Sequence, residues 1–183
     1  MLHLLRTCKL GGKEFIMADK ALYVLAGYDD NTEERLAGMQ NELYKKGYDG
    51  IQTKGIPMHF TLGSYDSDRE DELVSRLKNV AKTHKAFNVS FNHIGMFNLP
   101  DNQVLFVKPE VSSEMLLLKD EFRDDNSMFN WSSHTTLLID KPEIIHKAIP
   151  EVLKDFSSFD GKVTTLHLYE FWPTRHIISV KLS

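Results

Sequence analysis

Most apolar residues along the chain fall into two patterns, the short runs typical of strands and the three-to-four spacing typical of helices. Residues 21–26 form a continuously apolar run that predicts a buried strand, and residues 58–62, between Pro57 and Gly63, form another. Between these two runs, four apolar residues share one face of a helix of period 3.6. They are Leu36, Met39, Leu43 and Tyr44.

The same order of elements then occurs twice. In the first copy, the strand at 58–62 is followed by a helical pattern and by an alternating hairpin that starts at Phe87. In the second copy, an apolar strand at 134–139 is followed by a helical pattern and by strands at 162–168 and 176–182. Each copy has to bury one sheet face under its helix. We therefore predict an α+β fold, a bilobal duplicated domain whose two mostly antiparallel sheets are flanked by helices around a central cleft with pseudo-two-fold symmetry.

Polar residues mark where the helices should begin. Four candidate N-terminal caps precede helical patterns. They are the segment Asp29-Asp30-Asn31-Thr32, Ser112 or Ser113, and two capping boxes, Ser67 with Glu70 and Asp140 with Glu143. Inside the last helix, Pro150 lacks the amide that the hydrogen-bond ladder requires. We therefore expect that helix to be kinked or split at Pro150.

The first sixteen residues are predicted to be an N-terminal extension, and residues 17–183 a single domain. The apolar stretch near the start is too short for a signal peptide, and no small-residue cleavage site follows it. The segment 11–14 can be encoded by purine-rich codons that resemble a bacterial ribosome-binding site, just upstream of Met17. The sequence therefore favours Met17 as the true translation start.

Charge and cysteine content narrow the range of partners and compartments. The chain has 183 residues, a net charge of −4 and no run of Lys or Arg, which argues against an extended nucleic-acid surface. No apolar run approaches the length of a membrane span. A single cysteine excludes an internal disulfide and favours a reducing cytoplasm. We expect a cytoplasmic monomer that acts on a small nucleotide or an RNA end, with no cofactor and no metal.

Candidate chemistry lies on the two apolar strands that open the repeats. Successive strand residues point to opposite faces, so His59 shares a face with Thr61, and His134 with Thr136. Two imidazoles in one cleft suit phosphodiester hydrolysis, since one takes a proton from water and the other protonates the leaving oxygen. The two threonine hydroxyls are suited to bind the non-bridging phosphate oxygens.

Three other interpretations are open for these histidines. The motif is short enough to occur by chance, so each pair taken alone is more often an ordinary strand histidine, and the chain an interaction module. A nucleotide sensor would use the same cleft without turnover. A zinc site would have to draw on the further histidines His146, His167 and His176, but no close His or Cys spacing supports one. The matching position of both pairs in the repeat favours the catalytic interpretation.

These residues resemble a known family. His59-Phe60-Thr61-Leu62 and His134-Thr135-Thr136-Leu137 are similar to the duplicated signature of the two-histidine (2H) phosphoesterase superfamily, which includes bacterial 2′-5′ RNA ligase-like proteins and cyclic phosphodiesterases. Trp131 matches the aromatic residue common before the second motif, whereas Ser133 stands where the family often has proline. The resemblance implies a bilobal fold with a central cleft and an enzyme, a hydrolase or a ligase, that cleaves or reversibly forms 2′,3′-cyclic phosphates or 2′-5′ linkages without metal, with His59, Thr61, His134 and Thr136 as its catalytic residues.

Further residues are candidates for binding the substrate. Four aromatic side chains at strand ends could stack a base near the cleft mouth. They are Tyr65, Phe97, Tyr169 and Trp172. Arg175 could meet a terminal phosphate. The competing interpretations are core packing for the aromatic residues and a solvated surface role for Arg175.

Overall fold

The structure, a computed structural model, describes residues 6–10, 13–17, 20–123 and 131–183. From residue 21 onwards, strands and helices follow one another in the order that the sequence predicts. The strands are β1 (Arg6–Leu10), β2 (Lys13–Met17), β3 (Ala21–Tyr28), β4 (His59–Asp66), β5 (Phe87–Asn98), β6 (Gln103–Pro109), β7 (Thr135–Asp140), β8 (Phe159–Phe171) and β9 (Arg175–Lys181). The α-helices are α1 (Asp30–Lys45), α2 (Glu70–Thr83), α3 (Ser113–Asp120) and α4 (Pro142–Asp155), and a 3₁₀ turn at Ser67–Arg69 precedes α2.

Seven strands form one antiparallel sheet in the order β4-β3-β8-β5-β6-β7, with β9 also paired to β8. This differs from the expectation of two separate sheets. The long strand β8 joins the halves, because its residues 159–163 pair with β5 and its residues 165–170 pair with β9. The mixture of helices and an antiparallel sheet is confirmed, whereas a duplicated two-sheet symmetry is not.

The sheet curves so that its two end strands, β4 and β7, contact each other although they are not paired. Their inward-facing residues belong to one continuous hydrophobic core, in which Phe60, Leu62, Leu137 and Leu138 are fully buried. Burial of such side chains is the main favourable term in folding. The curvature therefore brings the starts of the two histidine motifs to the same region of the molecule.

Two of the predicted caps are confirmed. The Asp29 carboxylate accepts a hydrogen bond from the Thr32 amide at the start of α1, and the Ser112 hydroxyl accepts one from the Met115 amide at the start of α3. At the ends of such helices these side chains satisfy amides that have no partner within the helix.

Both predicted capping boxes are wrong. The segment that contains Ser67 forms the 3₁₀ turn, which places Arg69 rather than Ser67 before α2. The residue before α4 is Lys141 rather than Asp140, and neither helix has a side-chain cap. Helix α4 also continues through Pro150 without being split.

Among the described strands, β1 and β2 form a separate two-stranded hairpin, which spans most of the N-terminal extension and ends at Met17. The start at Met17 and the boundary after residue 16 stay predictions. Among the helices that the structure describes, none is long and apolar enough to cross a membrane.

Candidate active site

The two motifs present their histidines and threonines on the side of the strands opposite to the core. On β4, His59 and Thr61 are partly buried, whereas Phe60 and Leu62 between and after them are fully buried. Near β7, His134 and Thr136 are partly buried, and Thr135 and Leu137 are fully buried. Alternation along a strand explains both arrangements.

A cleft with a volume of about 300 Å³ lies between the two motif strands. Its described lining combines residues of both motifs with aromatic and amide side chains. The lining includes Tyr23, Gln40, Gln52, His59, Thr61, Thr136, Phe171 and Trp172. His134 is close enough for its charge to affect His59. The geometry thus brings His59, Thr61 and Thr136 to one hollow, with His134 near it but outside its immediate lining.

Both imidazoles are held by the same backbone contact. Nδ1 of His59 lies 2.7 Å from the carbonyl oxygen of Pro57, and Nδ1 of His134 lies 2.9 Å from that of Ser132. A carbonyl oxygen can only accept, so Nδ1 carries the proton in each ring. In the neutral state each Nε2 is therefore left as a free base that can accept a proton.

Burial disfavours the charged form of both rings. For His59, burial lowers the pKa most, the Pro57 carbonyl opposes this, and the charge of His134 lowers the pKa further. For His134, burial also lowers the pKa, and the Ser132 carbonyl opposes it. The neutral form suits the imidazole that acts as the base, whereas the imidazole that acts as the acid has to carry a second proton on Nε2.

Side chains from other elements bind the backbone of each motif. The indole Nε1 of Trp131 donates to the carbonyl oxygen of Thr61 at 2.8 Å. The amide nitrogen of Gln40 donates to the carbonyl oxygen of Leu137 at 3.0 Å and lies 3.4 Å from that of Thr136. These contacts fix the strands on which the hydroxyls of both threonines stand.

The start of the second motif is also held by Ser133, the residue that departs from the family pattern. Its hydroxyl is fully buried and donates to the carbonyl oxygen of Pro109 at the end of β6. The serine thus supplies a hydrogen bond that proline could not.

The connection between α1 and β4 forms one wall of the cleft. The amide of Ile51 donates to the carbonyl oxygen of Ile139, and the amide of Ile139 donates to the side-chain oxygen of Gln52 at 2.9 Å. Gly50 adopts a φ of 62°, and a Cβ there would overlap the Gln52 amide. At the end of the connection, the Met58 amide donates to the Glu33 carboxylate at 2.9 Å, just before His59.

Sequence reasoning missed several residues of this lining, among them Tyr23, Gln40, Gln52 and Phe171. Tyr23 is the one residue with a polar group in the apolar run 21–26, which is a local signal. The two glutamines carry no such signal, because only the packing of α1 and of the connection brings them to β7.

Tyr65, a predicted base-stacking residue, does not line the cleft. Its side chain is buried, and its hydroxyl donates to the carbonyl oxygen of Phe122 at 2.7 Å. Simple alternation would have put Tyr65 on the face of His59 and Thr61. A bulge shifts the β3–β4 register by one residue between Thr61 and Gly63, and this turns Tyr65 towards the core.

The other predicted binding residues have mixed positions. Phe97 packs edge-on against the His134 ring, with centroids 5.0 Å apart. Trp172 lines the cleft and is 51% exposed. Tyr169 is buried next to Phe171, which itself lines the cleft. Arg175 is already paired with Glu70 and Glu170, so its charge is largely compensated.

The described donors do not form a metal site. Among residues 20–123 and 131–183, no group of three or more His, Cys, Asp or Glu side chains is placed to hold a metal ion. The cleft lining offers the His59 imidazole, the hydroxyls of Thr61 and Thr136, two amides and an aromatic wall, and the His134 imidazole lies nearby.

An antiparallel α+β fold with two His-x-Thr strands facing one cleft defines the class as a two-histidine phosphoesterase-like protein. The family model of the 2′-5′ RNA ligase superfamily matches residues 28–171. The chain belongs to this superfamily, whose members are 2H phosphoesterases and RNA ligases.

Solved structures share the fold at low sequence identity. E. coli LigT in its apo form is 15% identical, with a TM-score of 0.57 over 90% of this chain and 98% of that one. TT0787 of Thermus thermophilus is 14% identical, with a TM-score of 0.57 over 88% of this chain and 97% of that one. No curated protein sequence matches the chain.

Proposed function

We propose that the protein is a metal-independent phosphoesterase that hydrolyses, or reversibly forms, 2′,3′-cyclic phosphate or 2′-5′ phosphodiester bonds in RNA ends or nucleotides. His59 and His134 act as general base and general acid, and Thr61 and Thr136 bind the non-bridging phosphate oxygens. The observation that carries the proposal is the matched pair of Nδ1–carbonyl hydrogen bonds, which leaves two Nε2 atoms for proton transfer.

The proposed chemistry follows from these two atoms. One Nε2 accepts a proton from the attacking water, a P–O bond forms, and the bond to the leaving oxygen breaks as the other imidazole donates its proton to that oxygen. Each proton-transfer group is expected to accelerate the reaction by about 10²–10⁴-fold. Hydroxyl donors aimed at the equatorial oxygens stabilise the charge that builds up there.

The described cleft fits a small substrate with one base. Its volume of about 300 Å³ is at the small end of ligand pockets, and Phe171 and Trp172 provide aromatic surface for stacking. LigT of E. coli has been crystallised with 3′-AMP and with phosphate, which supports a nucleotide ligand for this fold. We further infer a cytoplasmic location from the single cysteine, and a monomer stays an expectation.

The decisive experiment is turnover in the presence of EDTA. The protein is incubated with each 2′,3′-cyclic mononucleotide and with a 2′-5′-linked dinucleotide, and products are separated by chromatography. We expect ring opening or cleavage at a rate that EDTA does not change. Tight binding of the same compounds without any product would contradict the enzyme and support the alternative, a nucleotide-binding module that uses the same cleft.

The aromatic wall gives a test of substrate binding. Trp172→Ala should raise KM for a cyclic nucleotide by about 5- to 100-fold with a smaller effect on kcat, since stacking on a base contributes about 1–3 kcal/mol. Leu153→Ala removes a similarly exposed apolar side chain far from the lining and serves as the matched control. An unchanged KM in Trp172→Ala would exclude Trp172 as the stacking surface.

A further inference from the structure

A third histidine faces the same side of the sheet as the motif on β4. Leu25 of β3 is paired with Thr61 on one side and with His167 of β8 on the other. Residues directly opposite each other in paired strands point to the same face. His167 therefore lies on the same face of the sheet as Thr61. It is buried, with 8% of its surface exposed.

The His167 ring leans over Gly27, the residue paired directly with His59. A Cβ built on Gly27 would overlap Nε2 of His167, so the ring occupies the space that any other side chain would fill. Nδ1 of His167 is held 2.7 Å from the hydroxyl of Ser179, which is also bonded to His176. The imidazole is thus fixed in the row that contains Thr61 and Leu25, and it covers the neighbouring row that contains His59 and Gly27.

The histidine of the second motif has aromatic neighbours instead. The Phe106 ring leans over Gly95, where a Cβ would again overlap it. Its centroid lies 5.6 Å from that of His134, and the Phe97 ring lies 5.0 Å away on another side. Aromatic rings attract a nearby cation, whereas a fixed neutral imidazole with no negative partner offers no comparable stabilisation.

We propose that His167 is a positioning residue for His59. By filling the space over Gly27 it keeps water from one side of the His59 ring, which makes His59 the neutral member of the pair. His134, enclosed by Phe97 and Phe106, is then the first of the two to take up a proton. The catalytic consequence rests on the proposed function: in the free enzyme His59 is the base and His134 the acid.

The charge state of His167 is consistent with this role. Burial, followed by the charges of His59 and His176, lowers the pKa of His167 to about 4. At neutral pH the ring is therefore an uncharged filler rather than a second cation beside His59.

Other titratable groups near His59 come from three elements. Tyr23 stands on the cleft face of β3, Lys181 of β9 ends the row that runs through Gly27, and Glu33 of α1 binds the Met58 amide. Burial raises the pKa values of both Tyr23 and Glu33.

The charged groups nearest to His134 in register carry both signs. Lys108 follows Val107, the partner of Thr135, and is half-buried. His93 is paired with Lys108 and hydrogen-bonded to Glu110. The negative charge of Glu110 offsets the positive charge of Lys108. The rings of Phe97 and Phe106 therefore decide how strongly His134 favours its protonated form.

The order of protonation is measurable without any activity. Two-dimensional ¹H–¹⁵N NMR of the imidazole groups in the full-length protein, titrated with pH, follows each histidine separately, with His59→Gln and His134→Gln used for assignment. We expect His134 to titrate at a higher pH than His59. The reverse order would overturn the proposal. Because no substrate is needed, a protein without phosphoesterase activity would refute the proposed function and leave this result standing.

Variants of His167 test its part in that order. His167→Ala opens the space over Gly27 to water, so the pKa of His59 should rise by about half a unit or more while that of His134 stays unchanged. The acid limb of kcat/KM should move to higher pH by the same amount. His167→Gln keeps most of the volume and a polar group towards Ser179, and should restore the values of the unchanged protein. An unmoved His59 in the alanine variant would contradict the proposal, and the titration order of the unchanged protein tests it even if that variant does not fold.

Discussion

The strands β4 and β7 are built alike around their backbones and differently around their side chains. On each, a histidine donates Nδ1–H to the carbonyl two residues earlier, and a threonine follows two residues later. The neighbours then differ, since the His167 imidazole covers Gly27, the residue paired with His59, whereas His134 lies against two phenyl rings. The comparison indicates that strand alternation places the reacting groups, while the adjoining strands set their charge.

The largest expected effect is loss of either imidazole. His59→Ala and His134→Ala should each lower kcat by about 10²–10⁴-fold, because each removes one proton-transfer group. The double variant should lose much less than the product of the two single losses, since the groups act as a unit. Steady-state kinetics on a cyclic nucleotide measure this.

The control for the histidine variants is His146→Ala, which removes an exposed imidazole on α4. It should leave kcat and the unfolding temperature unchanged. A large loss in only one of the two cleft variants would show that β4 and β7 do not contribute comparable groups.

A smaller effect is expected for the cleft hydroxyls. Thr61→Val and Thr136→Val should each lower kcat/KM by about 10- to 100-fold, in line with about 1.5–3 kcal/mol for a hydrogen bond to a charged group. The neighbouring residue Thr135 supplies a matched control, because its hydroxyl is buried and bonded to that of Tyr28 at 2.6 Å.

Thr135→Val should therefore act on stability rather than on turnover. We expect it to lower the free energy of unfolding by about 1 kcal/mol, measured by urea denaturation, with kcat/KM nearly unchanged. Equal kinetic losses for Thr135→Val and Thr136→Val would show that the cleft-facing hydroxyl of Thr136 contributes no more to catalysis than the buried hydroxyl of Thr135.

The smallest expected effect is on the pH dependence of stability, to which His167 beside the first motif contributes and the phenyl rings beside the second motif do not. The folded pKa of His167, about 4, lies below its ordinary value of 6.5, so the unfolded chain binds the extra proton first. Its contribution to stability is complete above about pH 6.5 and is lost as pH falls towards 4. Phe106, whose ring packs near that of His134, has no titratable group and adds no such pH dependence.

Thermal unfolding measured between pH 7 and 5 checks this difference. The unchanged protein should lose about 1–2 kcal/mol more stability over this range than His167→Gln does. His146→Gln should behave like the unchanged protein. Identical pH dependence in all three would show that His167 is not kept neutral by its burial.

Local patterns explain what could be predicted from sequence. The apolar residues Phe60 and Leu62 alternate with His59 and Thr61, and this alone assigns the motif to the face away from the core. The same local signals predict β3, α1 and the caps at Asp29 and Ser112, because each depends on residues within a few positions.

Pairing between distant segments explains what could not be predicted. The bulge that turns Tyr65 inward depends on the register with Leu25, and the single sheet depends on β8 pairing with β5 and β9. Gln40 reaches β7 only through the packing of α1. In the two failed capping boxes, the residue before the helix lies one or two positions later than the polar residues indicate.

The contacts that hold the motif backbones have a second consequence, for solubility. An outer strand offers free carbonyl and amide groups to which a strand of another molecule can add, which is a common route to aggregation. On β4 the Thr61 carbonyl is occupied by Trp131, and on β7 Ile139 is occupied by Ile51 and Gln52. The strands that carry the histidines are therefore blocked at these positions against edge-to-edge association with other chains.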